Sequence, residues 1–402
     1  MVVHPTIPDL ASAPVVMRAG SATVVGAEPV EVVAASGADA LRALDDLAPG
    51  WWAGVLSYDL GRAVERVTGR LAPDPDLPDL VLARYDARLV ITETGTELVG
   101  SPAACSRLEH LLAHAPRRPG PTRLGLSRST LDQEAFEAGV RAIVGLIEAG
   151  ECYQVNLTRQ LSWDQRAEPI ALFGSLAVRN PAPYAALVTL PLPTDEPAVV
   201  VSSSPERFLT WRGRNVETRP IKGTARDAEW LFASAKDRAE NVMIVDLARN
   251  DLGRVCEYGS VEVSELCAVE AHPGLFHLVS TVRGQLRQDV GPGALVRATF
   301  PPASVTGAPK PRVLQAIEDL EPVRRGVYCG AIGWLDTARD EGDFAVAIRT
   351  FAMNDRGTHL GVGGGIVADS DPTAEWHETE LKAARLLVAA GAHEESTLST
   401  RS

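Results

Sequence analysis

The sequence predicts a mixed α+β fold. Helical and strand-like runs both recur along the chain, but without the regular βαβ alternation of a doubly wound sheet. Hydrophobic residues make up 45% of the 402 positions and charged residues 23%, the composition of a soluble globular protein. A chain of this length buries a large core without disulfide staples. The stretch "APRRPGPTR" (115–123), with three prolines and a glycine, reads as a linker or long loop. It divides an N-terminal α+β region (1–114) from a core (124–390), and the polar tail (391–402) reads as loose.

The elements follow in order. "RLVITETGTELVG" (88–100) is two extended pieces about a glycine-containing turn, a hairpin. In 130–150, Thr130 and Gln133 form a capping-box pattern, and Phe136, Val140, Ile143, Val144 and Ile147 repeat at helical spacing. Gly150 suits the helix exit. Strands are predicted at 152–161, 198–211 and 214–223, then near 327–335, 344–352 and 358–367. Helices are predicted at about 229–250, 310–319 and 372–390.

Cys105, Cys152, Cys256, Cys267 and Cys329 are scattered with no CxxC pair. That argues against a zinc site or a disulfide framework and fits a reducing cytoplasm. No signal-peptide pattern opens the chain, and no run of 18 apolar residues suggests a membrane span. The net charge of −13 repels nucleic acid. A small anionic substrate therefore needs locally built positive charge.

Two predicted helices carry acids three residues apart: Asp237 with Glu240, and Glu375 with Glu378. Such pairs share a helical face. Either they are ordinary solvated acids, or two facing helices present four carboxylates to one hard cation. Oxygen-only ligands favour Mg²⁺. The glycine run 361–365 is either a tight strand and turn or backbone open to an anion. In "ETRPIKGTARD" (217–227), Lys222 is either an exposed ion-pair lysine or a buried nucleophilic amine. A free lysine, with a pKa of about 10.4, is neutral in only about one molecule per thousand at pH 7.4. Burial makes the amine usable.

Together, "GECYQVNLTRQL", "SSSPERFL", "TRPIKGTARD", "KDRAENVMIVDLARNDLGRV", "HLVSTVRGQL", "FPPASVTGAPK", "RGVYCGAIGWLD", "AIRTF" and "GGGIVADSDPTAEWHETELKA" resemble the chorismate-utilising enzymes. That family includes anthranilate, aminodeoxychorismate, isochorismate and salicylate synthases. The match covers roughly 150–385, with a looser one at "WAGVLSYDLGR" (52–62). It implies a large four-layer α/β/β/α sandwich of the anthranilate synthase component I type, in which the N-terminal region is intertwined with the core.

The resemblance also implies roles. Anthranilate synthases look like P-I-A-G-T where this chain, like aminodeoxychorismate synthases, reads P-I-K-G-T. Lys222 would attack C2 of chorismate as the C4 hydroxyl leaves, Glu206 would protonate that hydroxyl, and ammonia would enter at C4. The product is 4-amino-4-deoxychorismate, a precursor of p-aminobenzoate and folate. Gln154 stands where the water-using relatives carry a lysine base, and an amide cannot take a proton from water. Glu240 and Glu378 match ligands of Mg²⁺, with Asp237 and Glu375 as the second acid of each pair. Arg349 and Tyr328 match the site for the enolpyruvyl carboxylate, and Lys382 adds positive charge. Gly363, Gly364 and Gly365 offer backbone, while Thr224, His277 and Ser304 match polar pocket positions. For Lys382 and His277 a helix ion pair and a core histidine are the plain alternatives.

No GxCxG-type glutaminase loop occurs, so ammonia is expected from a separate glutamine amidotransferase subunit or from solution. The L-L-E-S box that marks tryptophan binding in relatives is also missing. The rival readings are anthranilate synthase component I, which releases pyruvate, and a non-catalytic amidotransferase-binding homologue.

Overall fold

A computed structural model describes residues 14–74, 77–114, 122–192, 197–272 and 275–394. Residues 115–121 of the proline-rich stretch and 395–402 of the tail lie outside this set. Two sheets, of twelve and ten strands, carry the fold. Both draw on the two ends of the chain. In the larger sheet Val15–Ala19 pairs with Tyr184–Leu190, and in the smaller Trp51–Leu56 pairs with Ala331–Asp336, all antiparallel.

Side-chain alternation builds the layers. Val15 and Met17 meet Ala186, Val188 and Val200 of their own sheet and Trp51, Ala53 and Val55 of the other. Their neighbours Val16, Leu187, Val199 and Val201 point the opposite way, under helices Pro169–Arg179 and Pro372–Ala390. On the smaller sheet Trp52, Leu82, Trp211 and Val282 lie under helices Ala38–Asp45, Ala235–Gly253 and Pro292–Thr299. The order is therefore helix, sheet, sheet, helix, with the period of two deciding which layer each residue joins. Each fully buried Leu or Val contributes about 1.5–3 kcal/mol.

Several predicted elements change in detail. The helix expected at 130–150 runs Gln133–Glu148, capped by Asp132, whose carboxylate accepts from the Ala135 amide at 2.9 Å. Thr130 instead accepts from the Gln160 amide at 2.9 Å, tying the helix start to the next strand. A carboxylate is the stronger cap. The helix predicted at 229–250 is two, Ala228–Ala233 and Ala235–Gly253, broken at an extended Ser234 that caps the second. The short helices Ala38–Asp45, Pro102–Ala113, Pro169–Arg179 and Pro292–Thr299 were not predicted.

The breaks in strands matter most for the site. The run 198–211 is two strands, Ala198–Ser204 in the larger sheet and Arg207–Arg212 in the smaller. Pro205 cannot donate to a ladder, so pairing stops there. The run 344–352 crosses back: Glu341–Val346 belongs to the smaller sheet and Thr350–Asn354 to the larger. The two crossings lie side by side. The Ser203 amide donates to the Arg349 carbonyl and the Val346 amide to the Glu206 carbonyl, each at 3.0 Å. The run 214–223 is interrupted at Pro220, and both halves, Asn215–Arg219 and Ile221–Ala225, pair with Leu275–Gln285.

Candidate active site

Lys222 stands on the strand just after Pro220. Gly223, at φ 75°, forms a bulge there, as the register slips between Lys222 and Thr224. A side chain at 223 would also press on Asp237, 3.0 Å away, so glycine serves both the backbone and the space. The Lys222 ammonium donates to the Ser304 carbonyl at 3.3 Å. No carboxylate lies within ion-pair distance of it among the described residues. Burial lowers its pKa, Glu240, Glu206 and Glu378 oppose that shift, and Lys382 adds to it.

Glu206 occupies the crossing between sheets and is only 4% exposed. Burial pushes its carboxyl up to about 7, against the pull of the Ser304 hydroxyl, Lys222 and the Ile221 amide. That amide lies 3.5 Å from the carboxylate. Near neutrality the group is part acid and part base, the state a proton donor needs.

The glycine strand Gly357–Ile366 brings the remaining groups in. A β-carbon at Gly365 would sit 2.7 Å from the Gln154 amide nitrogen and 3.4 Å from the Lys222 nitrogen. Gln154 is fully buried, and neither of its amide atoms has a hydrogen-bond partner among the described residues. A buried amide in that condition has hydrogen-bonding capacity to offer a polar group placed beside it. A β-carbon at Gly364 would lie 3.2 Å from Glu375, 3.7 Å from Glu378 and 3.9 Å from the Lys382 nitrogen. Gly363 is required by close approach, since its β-carbon would fall 2.4 Å from the Leu157 carbonyl. The Gly363 carbonyl accepts from Lys382 at 2.9 Å, which brings a cation to this strand.

Asp237 and Glu375 lie in the first turns of their helices, where helix amides favour negative charge, and Glu240 and Glu378 follow one turn later. Glu240 and Glu375 have raised pKa values, through burial first. Glu378 is lowered, because Lys382 pairs with it at 2.6 Å. Ser370 donates to Glu375 at 2.7 Å, and Lys236 stands 4.0 Å from Glu240. Among the described residues no three of His, Cys, Asp and Glu close on one point as a metal cage. Each pair instead stands beside a glycine, with lysines as counter-charges. Glu375 and Glu378 crowd the space over Gly364, while Asp237 lies against Gly223. The donors are all oxygen, the chemistry that suits a hard cation.

Arg349 has φ 52°, a left-handed backbone that costs a non-glycine residue energy. Its guanidinium has no acidic partner among the described residues. Burial, with Arg385 nearby, lowers its pKa, while Glu206 opposes. Such an unpaired guanidinium is ready for a carboxylate. The Tyr328 ring fills the space over Gly361, where a β-carbon would lie 2.1 Å from it. That is the same face of the strand as Lys222, four residues or roughly 13 Å along. Tyr328 lines a small cavity with Thr158, Glu321 and Arg325, and the amide of its neighbour Cys329 donates to the Ala347 carbonyl at 2.9 Å, two residues before Arg349. His277 is 2% exposed and paired across the strands with Thr224 and Glu270. The side chain of Thr224 lies outside the described residues.

Sequence reasoning missed Lys236 and Ser370, which hold the acids. The i,i+4 spacing of Lys236 and Glu240 was a usable signal. Ser304, expected as a polar pocket position, meets Glu206 through its hydroxyl and Lys222 through its carbonyl.

The model of the family described as chorismate binding enzyme matches residues 14–388. The chain belongs to the chorismate-binding enzymes. It is 40% identical to "Aminodeoxychorismate synthase component 1" of Klebsiella aerogenes, over 83% of this chain and 76% of that one. It is 36% identical to "Anthranilate synthase component 1" of Mycobacterium bovis, over 94% and 83%. The crystal structure of anthranilate synthase component I from Streptococcus pneumoniae superimposes with a TM-score of 0.78 at 26% identity, covering 96% of this chain and 94% of that one. These chorismate-binding relatives bear out the four-layer sandwich.

Proposed function

We propose that this chain is an aminodeoxychorismate synthase component I. The observation that carries the reading is the Lys222 amine, half-buried with no carboxylate at ion-pair distance among the described residues and held over Gly365, in the charge field of Glu206. Burial first and Lys382 second lower the amine's pKa, which favours the neutral form, and the neutral amine is the nucleophile.

The steps balance as follows. The Lys222 nitrogen adds to C2 of chorismate, the ring double bonds shift, and the C4–O bond breaks. Glu206 gives its proton to that oxygen, which leaves as water. Ammonia adds to C4, the double bonds shift back, and Lys222 leaves as the amine. The surplus proton on the new C4 ammonium returns to Glu206. Chorismate and ammonia become aminodeoxychorismate and water. Gln154 cannot take a proton from water, which disfavours a hydroxylated product. Arg349, with Tyr328 along the strand, binds the enolpyruvyl carboxylate. Glu240 and Glu378, with Asp237 and Glu375, would hold Mg²⁺. When bound, the ion supplies positive charge for the ring carboxylate and quiets the acids around the amine.

We further propose a separate glutamine amidotransferase subunit as the ammonia source, and a cytoplasmic setting, which the five free thiols suit. Anthranilate synthesis is the second reading, favoured by the longer match to the Mycobacterium bovis chain. Chorismate, Mg²⁺ and ammonium at alkaline pH, with chromatography of the products, separate the two. Aminodeoxychorismate without pyruvate is the expected outcome. Anthranilate with pyruvate overturns it, and no chorismate consumption at all favours a non-catalytic partner-binding role.

A further inference from the structure

A cavity of about 30 Å³ lies between the Glu206 crossing and the helix Ala235–Gly253. Glu206, Ser304, Thr218, Thr299, Asp251 and Ala248 are among its walls. It has room for about two water molecules. Its far wall is rigid and polar. Lys310 donates to Asp251 and to the Thr299 carbonyl, each at 2.7 Å, and Arg254 donates to Asp251 at 2.9 Å. The Thr299 hydroxyl donates to the Leu295 carbonyl at 2.9 Å, so its oxygen is left to accept. The Asp251 carboxylate likewise keeps accepting lone pairs. Beyond it the Arg254 side chain is 44% exposed, which places solvent behind this wall.

The reaction imposes a traffic problem at this spot. Water leaves from C4 at the Glu206 carboxyl, and ammonia must then reach the same carbon. Glu206 is almost wholly enclosed, and a ring seated on Lys222 covers its open side. We propose that this cavity is the chamber into which the leaving water steps, clearing C4 for ammonia. The inference rests on the aminating reading above. The C4–O bond breaks with its electron pair on oxygen, the oxygen takes the Glu206 proton, and the neutral water moves to the hydroxyl and carboxylate acceptors of the far wall. The apolar remainder, Ile244 and Leu252 among it, keeps that water loosely held so that it drains.

Filling the chamber tests this. Ala248→Leu adds bulk from the helix, where leucine is a good helix former. Ile244→Phe fills it from the preceding turn and serves if the first variant folds poorly. Chorismate binding should stay within about twofold of the parent, while turnover with ammonium falls about tenfold or more. In ¹⁸O water without ammonia, the parent should place label in the C4 hydroxyl of recovered chorismate, because a draining chamber also returns water. The filled variants should lose that label in step with turnover. Parent-like turnover and exchange in both filled variants overturn the inference. So does a parent that aminates chorismate yet exchanges no oxygen, or a loss fully matched by weaker chorismate binding. A parent that consumes no chorismate with ammonium sinks the aminating reading instead.

Discussion

Burial lowers the pKa of two lysines, Lys222 and Lys310, that end in different company. Lys310 is 8% exposed and bonded at 2.7 Å to Asp251, which is itself held by Arg254. Lys222 has one carbonyl at 3.3 Å and acids only at longer range. The first is a closed ion pair that joins the helix Ala235–Gly253 to the start of Lys310–Leu320. The second has no carboxylate at ion-pair distance among the described residues. Burial of a cation is thus no mark of chemistry by itself; what separates the two is whether a carboxylate has been supplied.

Replacing each lysine by methionine should split the two properties. Lys222→Met is expected to lower turnover by about 10³-fold or more with little change in melting temperature. Lys310→Met takes one of the two cations from the buried Asp251, leaving Arg254, and should cost about 1.5–3 kcal/mol, read by denaturant titration. If Lys222→Met unfolds the chain while Lys310→Met leaves stability intact, the comparison is inverted and the nucleophile assignment fails.

Glu206→Gln keeps the shape and removes the proton, so turnover should drop about 10²–10⁴-fold while chorismate still binds, as followed by fluorescence titration. The same carboxyl sets a pH dependence of folding. Its folded pKa, about 7, lies above the 4.5 of the free group, so the native state holds the extra proton between these values. Stability is therefore greatest below about 4.5 for this group and is lost as pH rises through about 7, by roughly 3 kcal/mol in all. Glu206→Gln should flatten that decline in a series of melts from pH 5 to 7.5. Turnover measured at fixed free ammonia should also fall above about pH 7. The smallest effect is expected at Gly364→Ala. Its new methyl meets Glu375 at 3.2 Å, the end of a flexible side chain. The fold should hold, and the Mg²⁺ concentration giving half-maximal turnover should rise about tenfold.

The layers of the fold were legible because alternation and helical spacing are local. Helix 372–390 was found to the residue, with its acids and lysine on the expected turns. What escaped was the breaking of extended runs. Residues 198–211 and 344–352 each read as one strand because β-forming residues continue on both sides of the break. Pro205 marks the first break, but only the partner strands show that the chain changes sheets there and at Ile348-Arg349. The identities of Lys222, Glu206 and the acids were readable from their motifs. Their mutual placement, and the choice of Asp251 for Lys310 rather than Lys222, depend on contacts distant in sequence that no spacing rule encodes.

Glu206 and Arg349 hang from the paired crossings, while Lys222 rides on the smaller sheet alone. The working distances are therefore tied to the thickness of the sandwich. Hydrostatic compression, which acts first on internal voids, should reach that spacing before it reaches any helix. Catalytic output would then act as a strain gauge for the whole interior, fading under pressure while the secondary structure remains intact.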